Sequence, residues 1–193
     1  MECNGDYPIN GHCSMSYYPT DYDVVSLKSS GYLAFQTFDR NGKYLKTYEE
    51  WTADPLTYQM YFMSLTNPVK RIFRFDFSNE RDLRAAKELL ESQSIVKVTR
   101  KVAYASLLLH RQHQIELRSV IDLTTTNYLV NQVGVNSGNL VNPSIIEDSI
   151  GDNVQSNMLG LAKVWLRLYG SMYCNLIAYT QQRLDLFRSF TLD

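Results

Sequence analysis

The sequence predicts an α+β domain: a mixed or antiparallel sheet, a packed strand-helix-strand unit and a long C-terminal helix. Three observations carry this prediction. Residues 71–77 alternate, with Phe73, Phe75 and Phe77 on one face and Arg74 and Asp76 on the other, the period of a half-buried strand. Leu83, Ala86, Leu89 and Leu90 follow at helical spacing, and Ile95–Thr99 resumes as strand. From Leu159 to Phe187, apolar residues recur at spacings of three and four.

Residues 1–23 read as an extended arm. Gly5, Pro8, Gly11 and Pro19 punctuate it, and it has little aliphatic content with which to build a core. Its Tyr7, Tyr17, Tyr18 and Tyr22 bring apolar area with a hydrogen-bonding tip, suited to lying on another surface. The α+β domain is assigned to residues 24–151. Tyr32–Phe38 and Lys43–Tyr48 flank Asp39-Arg40-Asn41-Gly42, whose residues tolerate positive φ, and this predicts a hairpin. Asp54-Pro55 predicts a cap and first helical position, with a short helix to about Leu65 before Asn67-Pro68 stops it.

Ser78 or Asn79 caps the helix that follows the phenylalanine strand, and Glu80 and Asp82 suit its first turn. Val102–Leu109 is an apolar run compatible with strand or buried helix, and Gln114–Leu123 alternates as a strand would. Residues 124–142 read as loop with a short strand at Tyr128–Val135. Asn142-Pro143 opens a short helix that ends before Gly151.

The C-terminal segment, 152–193, is predicted to be helical from a cap at Asp152 to about Ser189. The rival is a hairpin turning at Gly170-Ser171. As an unbroken helix it spans roughly 55 Å, whereas a compact chain of this length is near 40 Å across. Its apolar flank, with Tyr169, Tyr173, Leu176, Leu184 and Phe187, is therefore expected to need a neighbouring chain.

Composition excludes some function classes. The 193 residues are 45% apolar, 20% charged and 12% aromatic, with a net charge of −1, which excludes a disordered chain and a uniformly basic DNA-binding protein. Met1–Asp23 has no apolar core of a secretory leader, and three cysteines cannot complete a disulfide framework. A reducing, cytoplasmic location is expected, or a particle assembled there. Lys163 and Arg167 exclude a transmembrane helix over 158–180. The charge is uneven: residues 1–60 carry −4, residues 70–118 carry +5 and residues 119–193 carry −2.

Candidate chemistry is sparse. Cys13 lies beside His12, but on the arm. Cys3, Cys13, His110 and His113 match no paired metal-ligand spacing, so no metal site is expected. Glu49-Glu50 and Glu147-Asp148 are adjacent acids that regular elements point apart. No phosphate loop or nucleophile elbow is present, and no cofactor is predicted.

The leading expectation is a non-catalytic structural or assembly protein. It would self-associate or build into a larger particle, such as a virus or phage virion, through Tyr7, Tyr17, Tyr18, Tyr22, Tyr169, Tyr173, Leu176, Leu184 and Phe187. The partners are then further copies of the chain or other subunits of an assembly. The alternative is a module for RNA or single-stranded nucleic acid using the basic 70–118 region. Lys70, Arg71, Arg74, Lys97, Arg100 and Lys101 would meet phosphate in that case. The second alternative is a thiol-dependent enzyme built on Cys13.

Overall fold

The computed structural model describes residues 14–39, 41–45, 58–67, 70–126, 151 and 153–169. Six strands make one sheet in the order β1-β4-β3-β2-β5-β6. They are β1 (Ser14–Tyr17), β2 (Tyr32–Asp39), β3 (Tyr58–Ser64), β4 (Arg71–Asp76), β5 (Val96–Thr99) and β6 (Val120–Asp122). β2 pairs antiparallel with β3 and parallel with β5. β3 is antiparallel to β4, while β1 follows β4 and β6 follows β5 in parallel. Only β3 runs against the rest, so the other five strands end at the same side of the molecule. The class is α+β with a mixed sheet, as predicted.

Local sequence explains the elements. The hairpin after β2 turns where Gly42 adopts φ 76 and its N–H donates to the Asp39 carbonyl at 3.0 Å. Thr20 and Asp23 form a capping box on the first helix (Asp21–Lys28). The crossover helix (Glu80–Glu91) starts at Asn79, whose side chain accepts from the N–H groups of Arg81 and Asp82. A second crossover helix (Val102–His113) joins β5 to β6, which resolves the apolar run at 102–109 as helix.

The two faces of the sheet are covered differently. Leu33, Phe35, Met60, Phe62, Phe73 and Phe75 pack with Leu27, Ala86, Leu89, Leu90, Leu108 and Leu109 of the first and crossover helices. Ala34, Phe38, Tyr61, Met63 and Val98 lie on the opposite face. They pack with Met158, Leu161, Ala162, Trp165 and Leu168 of the last helix, residues 154–169. The long C-terminal helix is therefore present. Over its described residues the chain's own sheet buries Met158, Leu161, Ala162, Trp165 and Leu168; of the flank expected to need a neighbouring subunit only Tyr169 is described, and it is exposed.

Three expectations are corrected. The helix predicted after Asp54-Pro55 is replaced by β3, where Met60, Tyr61, Phe62 and Met63 are all buried. A strand covered on both faces has no polar alternation to announce it. Of Gln114–Leu123, only Val120–Asp122 pairs as strand. The hairpin turning at Gly170-Ser171 is excluded on its first side, since residues 164–169 are helical. Part of the arm is in the fold: β1 is an edge strand beside β4, and the Arg74 guanidinium sits 4.0 Å above the Tyr18 ring. The loop and helix expected over 127–150 and the cap at Asp152 lie outside the described residues. So do the continuation of the last helix beyond 169 and the sites at Cys3, Tyr7, His12, Cys13, Glu49-Glu50 and Glu147-Asp148. Among the described residues no helix is long and apolar enough to cross a membrane.

Candidate functional site at the sheet end

Strand order locates the site. From β2 the chain moves to one side, into β3 and β4; the crossover helix then carries it to β5 on the other side of β2. In open sheets with helical crossovers, ligands bind beyond the C-terminal ends of the strands where connections diverge in this way. Here that place is the end of β2 and β5. The hairpin and the last helix close over it: Tyr44 bridges back to Phe38, and Lys43 bridges to Asn153 at the start of the last helix.

Three polar side chains there are more than nine-tenths buried with a hydrogen-bonding atom left over. Gln36 lies between Ala34 and Phe38 on the same face of the central strand and is 1% exposed. Its Oε1 accepts from the Thr99 hydroxyl at 2.7 Å, which leaves the Nε2 amide without a partner. Arg100 follows directly after β5. Its guanidinium lies 4.6 Å from the centre of the Tyr44 ring, and its Nε has no hydrogen-bond acceptor. Asn157, in the first turn of the last helix, donates to the Gly151 carbonyl at 2.9 Å and keeps an unpartnered Oδ1. Buried polar groups are normally paired, so each of these orphans calls for an explanation beyond packing.

The carboxylates at this end have other work. Asp39 Oδ1 accepts from the N–H groups of Asn41 and Lys43, both at 2.8 Å, and holds the hairpin turn. Asp122 Oδ2 accepts from Val102 N–H at 2.9 Å, and its Oδ1 accepts from Thr124 N–H at 2.9 Å. That supplies a cap which Lys101, at φ 56, does not provide for the second crossover helix. No group of three His, Cys, Asp or Glu side chains placed to hold a metal ion occurs among the described residues. Of the two histidines weighed as ligands, His110 is exposed. His113 meets Phe77 edge to face at 5.1 Å, and burial pushes its pKa down.

The six cations expected to meet phosphate are dispersed. Lys70 is buried, and its ammonium donates to the carbonyls of Leu65 and Asn67 at 2.8 and 2.7 Å. Lys97 is fully buried and donates to the Ser92 carbonyl. Arg71 is exposed at the start of β4, and Arg74 covers Tyr18. Only Arg100 and the half-buried Lys101 sit at the end of β5. Among the tyrosines assigned to an interface, Tyr17, Tyr18, Tyr22 and Tyr169 are exposed; Tyr7 and Tyr173, with Leu176, Leu184 and Phe187, lie outside the described residues. The sequence reading passed over Gln36, Tyr44, Thr99 and Asn157. The one signal available was a lone amide in the apolar run 32–38.

Lys97 carries a measurable cost. Burial lowers its pKa from 10.5 to about 8. Between those values the unfolded chain binds the extra proton, so native stability rises with pH across that window; below pH 8 the penalty is present in full. Lys97→Met is expected to raise unfolding free energy by about 1–3 kcal/mol at pH 7, with the gain fading towards pH 10.5. Urea unfolding at the two pH values checks this, and a gain that grows with pH contradicts it.

No family model matches the chain, and no curated protein matches it. Solved structures resemble it in fold. The exonuclease domain of Nibbler from Aedes aegypti superposes with a TM-score of 0.51 at 9% identity, over 81% of this chain and 84% of that one. A nuclease in its apo form gives 0.50 at 10% identity, over 89% and 85%. Trypanosoma brucei RNase D in complex with RNA U12 gives 0.43 at 13% identity, over 74% of this chain. The chain spans 58% of that RNase D, less than two thirds of its length. The fold shared with the Nibbler exonuclease domain and the apo nuclease corrects the expectation of a non-catalytic assembly protein or virion component.

Proposed function

We propose that this chain is an exonuclease-like domain that engages single-stranded nucleic acid, taking the strand at the end of β2 and β5. The step from fold to function is an analogy, because one fold serves many chemistries. The observation that carries the reading is Arg100. It is a cation fixed on an aromatic ring at the point where this topology binds ligands, with a donor still free. Phosphates are recognised by such planar, permanently charged groups, and single strands add stacking on aromatic faces. Lys101 follows directly, and the buried Tyr44 ring is what holds the Arg100 guanidinium in place.

Anisotropy titration of a labelled single-stranded RNA of about 12 nucleotides, within the site sizes known for such surfaces, tests this. Binding is expected at low salt, weakening steeply as salt rises because phosphate contacts release counterions. Arg100→Met is expected to weaken it about tenfold or more, and Arg100→Lys less, as a point charge replaces a planar one. Circular dichroism establishes that each variant is folded. No binding by the wild type, or equal binding by both folded variants, overturns the proposal.

A further inference from the structure

Nucleases commonly hydrolyse phosphodiesters with divalent metals that clamp the attacking and leaving oxygens. Such ions are held by oxygen ligands, mostly carboxylates. The sheet end described here does not fit that requirement. Gln36 turns its oxygen to Thr99 and leaves an N–H donor, and Arg100 adds a second donor and a positive charge. Asp39 and Asp122 are anchored to backbone N–H groups, and no third acid or histidine joins either in a ligand cluster among the described residues. Donors and a guanidinium repel a cation and attract an anion.

We infer that this site takes the phosphate-bearing strand directly, without a divalent cation: the Gln36 amide and Arg100 Nε donate to oxygens of the nucleotide, and the Asn157 carbonyl oxygen accepts from a base or hydroxyl. This deepens the proposed function and rests on it. A carboxylate-lined site meets phosphate only through bound metal, whereas this set of groups meets it unaided. A nucleotide offers both phosphate oxygens for such donors and N–H or hydroxyl groups for such an acceptor.

The full chain is titrated with single-stranded oligouridine in buffer containing EDTA, then with Mg2+ or Mn2+ at matched ionic strength, and the RNA is run on a denaturing gel afterwards. The expected result is binding in EDTA with an affinity within about twofold of that in Mg2+, and with the usual loss at high salt. Binding that appears only with the metal, or shortening of the RNA that needs it, overturns the inference and leaves nucleic-acid engagement standing. Absence of binding under both conditions removes the proposed function and the inference with it.

Discussion

Phe62→Ala is expected to lower unfolding free energy by about 3–5 kcal/mol, the range for truncating a fully buried aromatic. Phe62 is 0% exposed in the middle of β3. It stacks on Phe35 of β2 at 6.0 Å and meets Phe75 of β4 edge to face at 4.9 Å. In register it stands opposite Phe35 on one side and Phe73 on the other. The ring thus joins three strands, and rigid backbone on both sides limits how far the cavity can collapse. Denaturant unfolding is expected to show a lower midpoint at unchanged slope. A loss below about 1 kcal/mol would mean that β3 is not the buried strand described here.

Trp165→Ala is expected to cost a similar amount, about 3–5 kcal/mol, on the opposite face of the sheet. Trp165 is 4% exposed and packs 5.4 Å from Tyr32 and 5.3 Å from Tyr169. The exposed Lys163 on the same helix is the control: Lys163→Ala is expected to stay within about 0.5 kcal/mol of the wild type. Concentration dependence adds a second readout. If the chain's own sheet covers this helix, the melting temperature of the wild type does not rise with protein concentration. A rise would return the helix flank to an interface between copies.

These two residues also show where the sequence was legible. The β4–helix–β5 unit stood out because its first two elements carry a clear period: Phe73, Phe75 and Phe77 alternate with Arg74 and Asp76, and Asn79 caps a helix with a single apolar side, whereas β5 itself is buried through Lys97, Val98 and Thr99. β3 was illegible for the opposite reason. It is covered on both faces, so its run of Met60 to Met63 has no period, and Asp54-Pro55 before it has the composition of a helix start. The last helix was visible from its spacing, but the surface that covers it was not, because a spacing pattern cannot say whether a flank meets its own sheet or another chain. The candidate site was less legible still. Its members come from β2, the hairpin, the end of β5 and the last helix, and they are brought together only by a strand order that no local pattern encodes. Cations showed a related limit. Lys70 and Lys97 read as phosphate contacts by residue type, yet each spends its ammonium on backbone carbonyls.

The claim that the strand sits at the end of β2 and β5 is tested most directly by photocrosslinking. Single-stranded RNA carrying one 4-thiouridine at its 3′ end is bound, irradiated and mapped by mass spectrometry. Crosslinks to peptides containing residues 36–44 and 99–102 are the predicted result. Crosslinks confined to β1 and the first helix, with none at the β2–β5 end, would contradict the account.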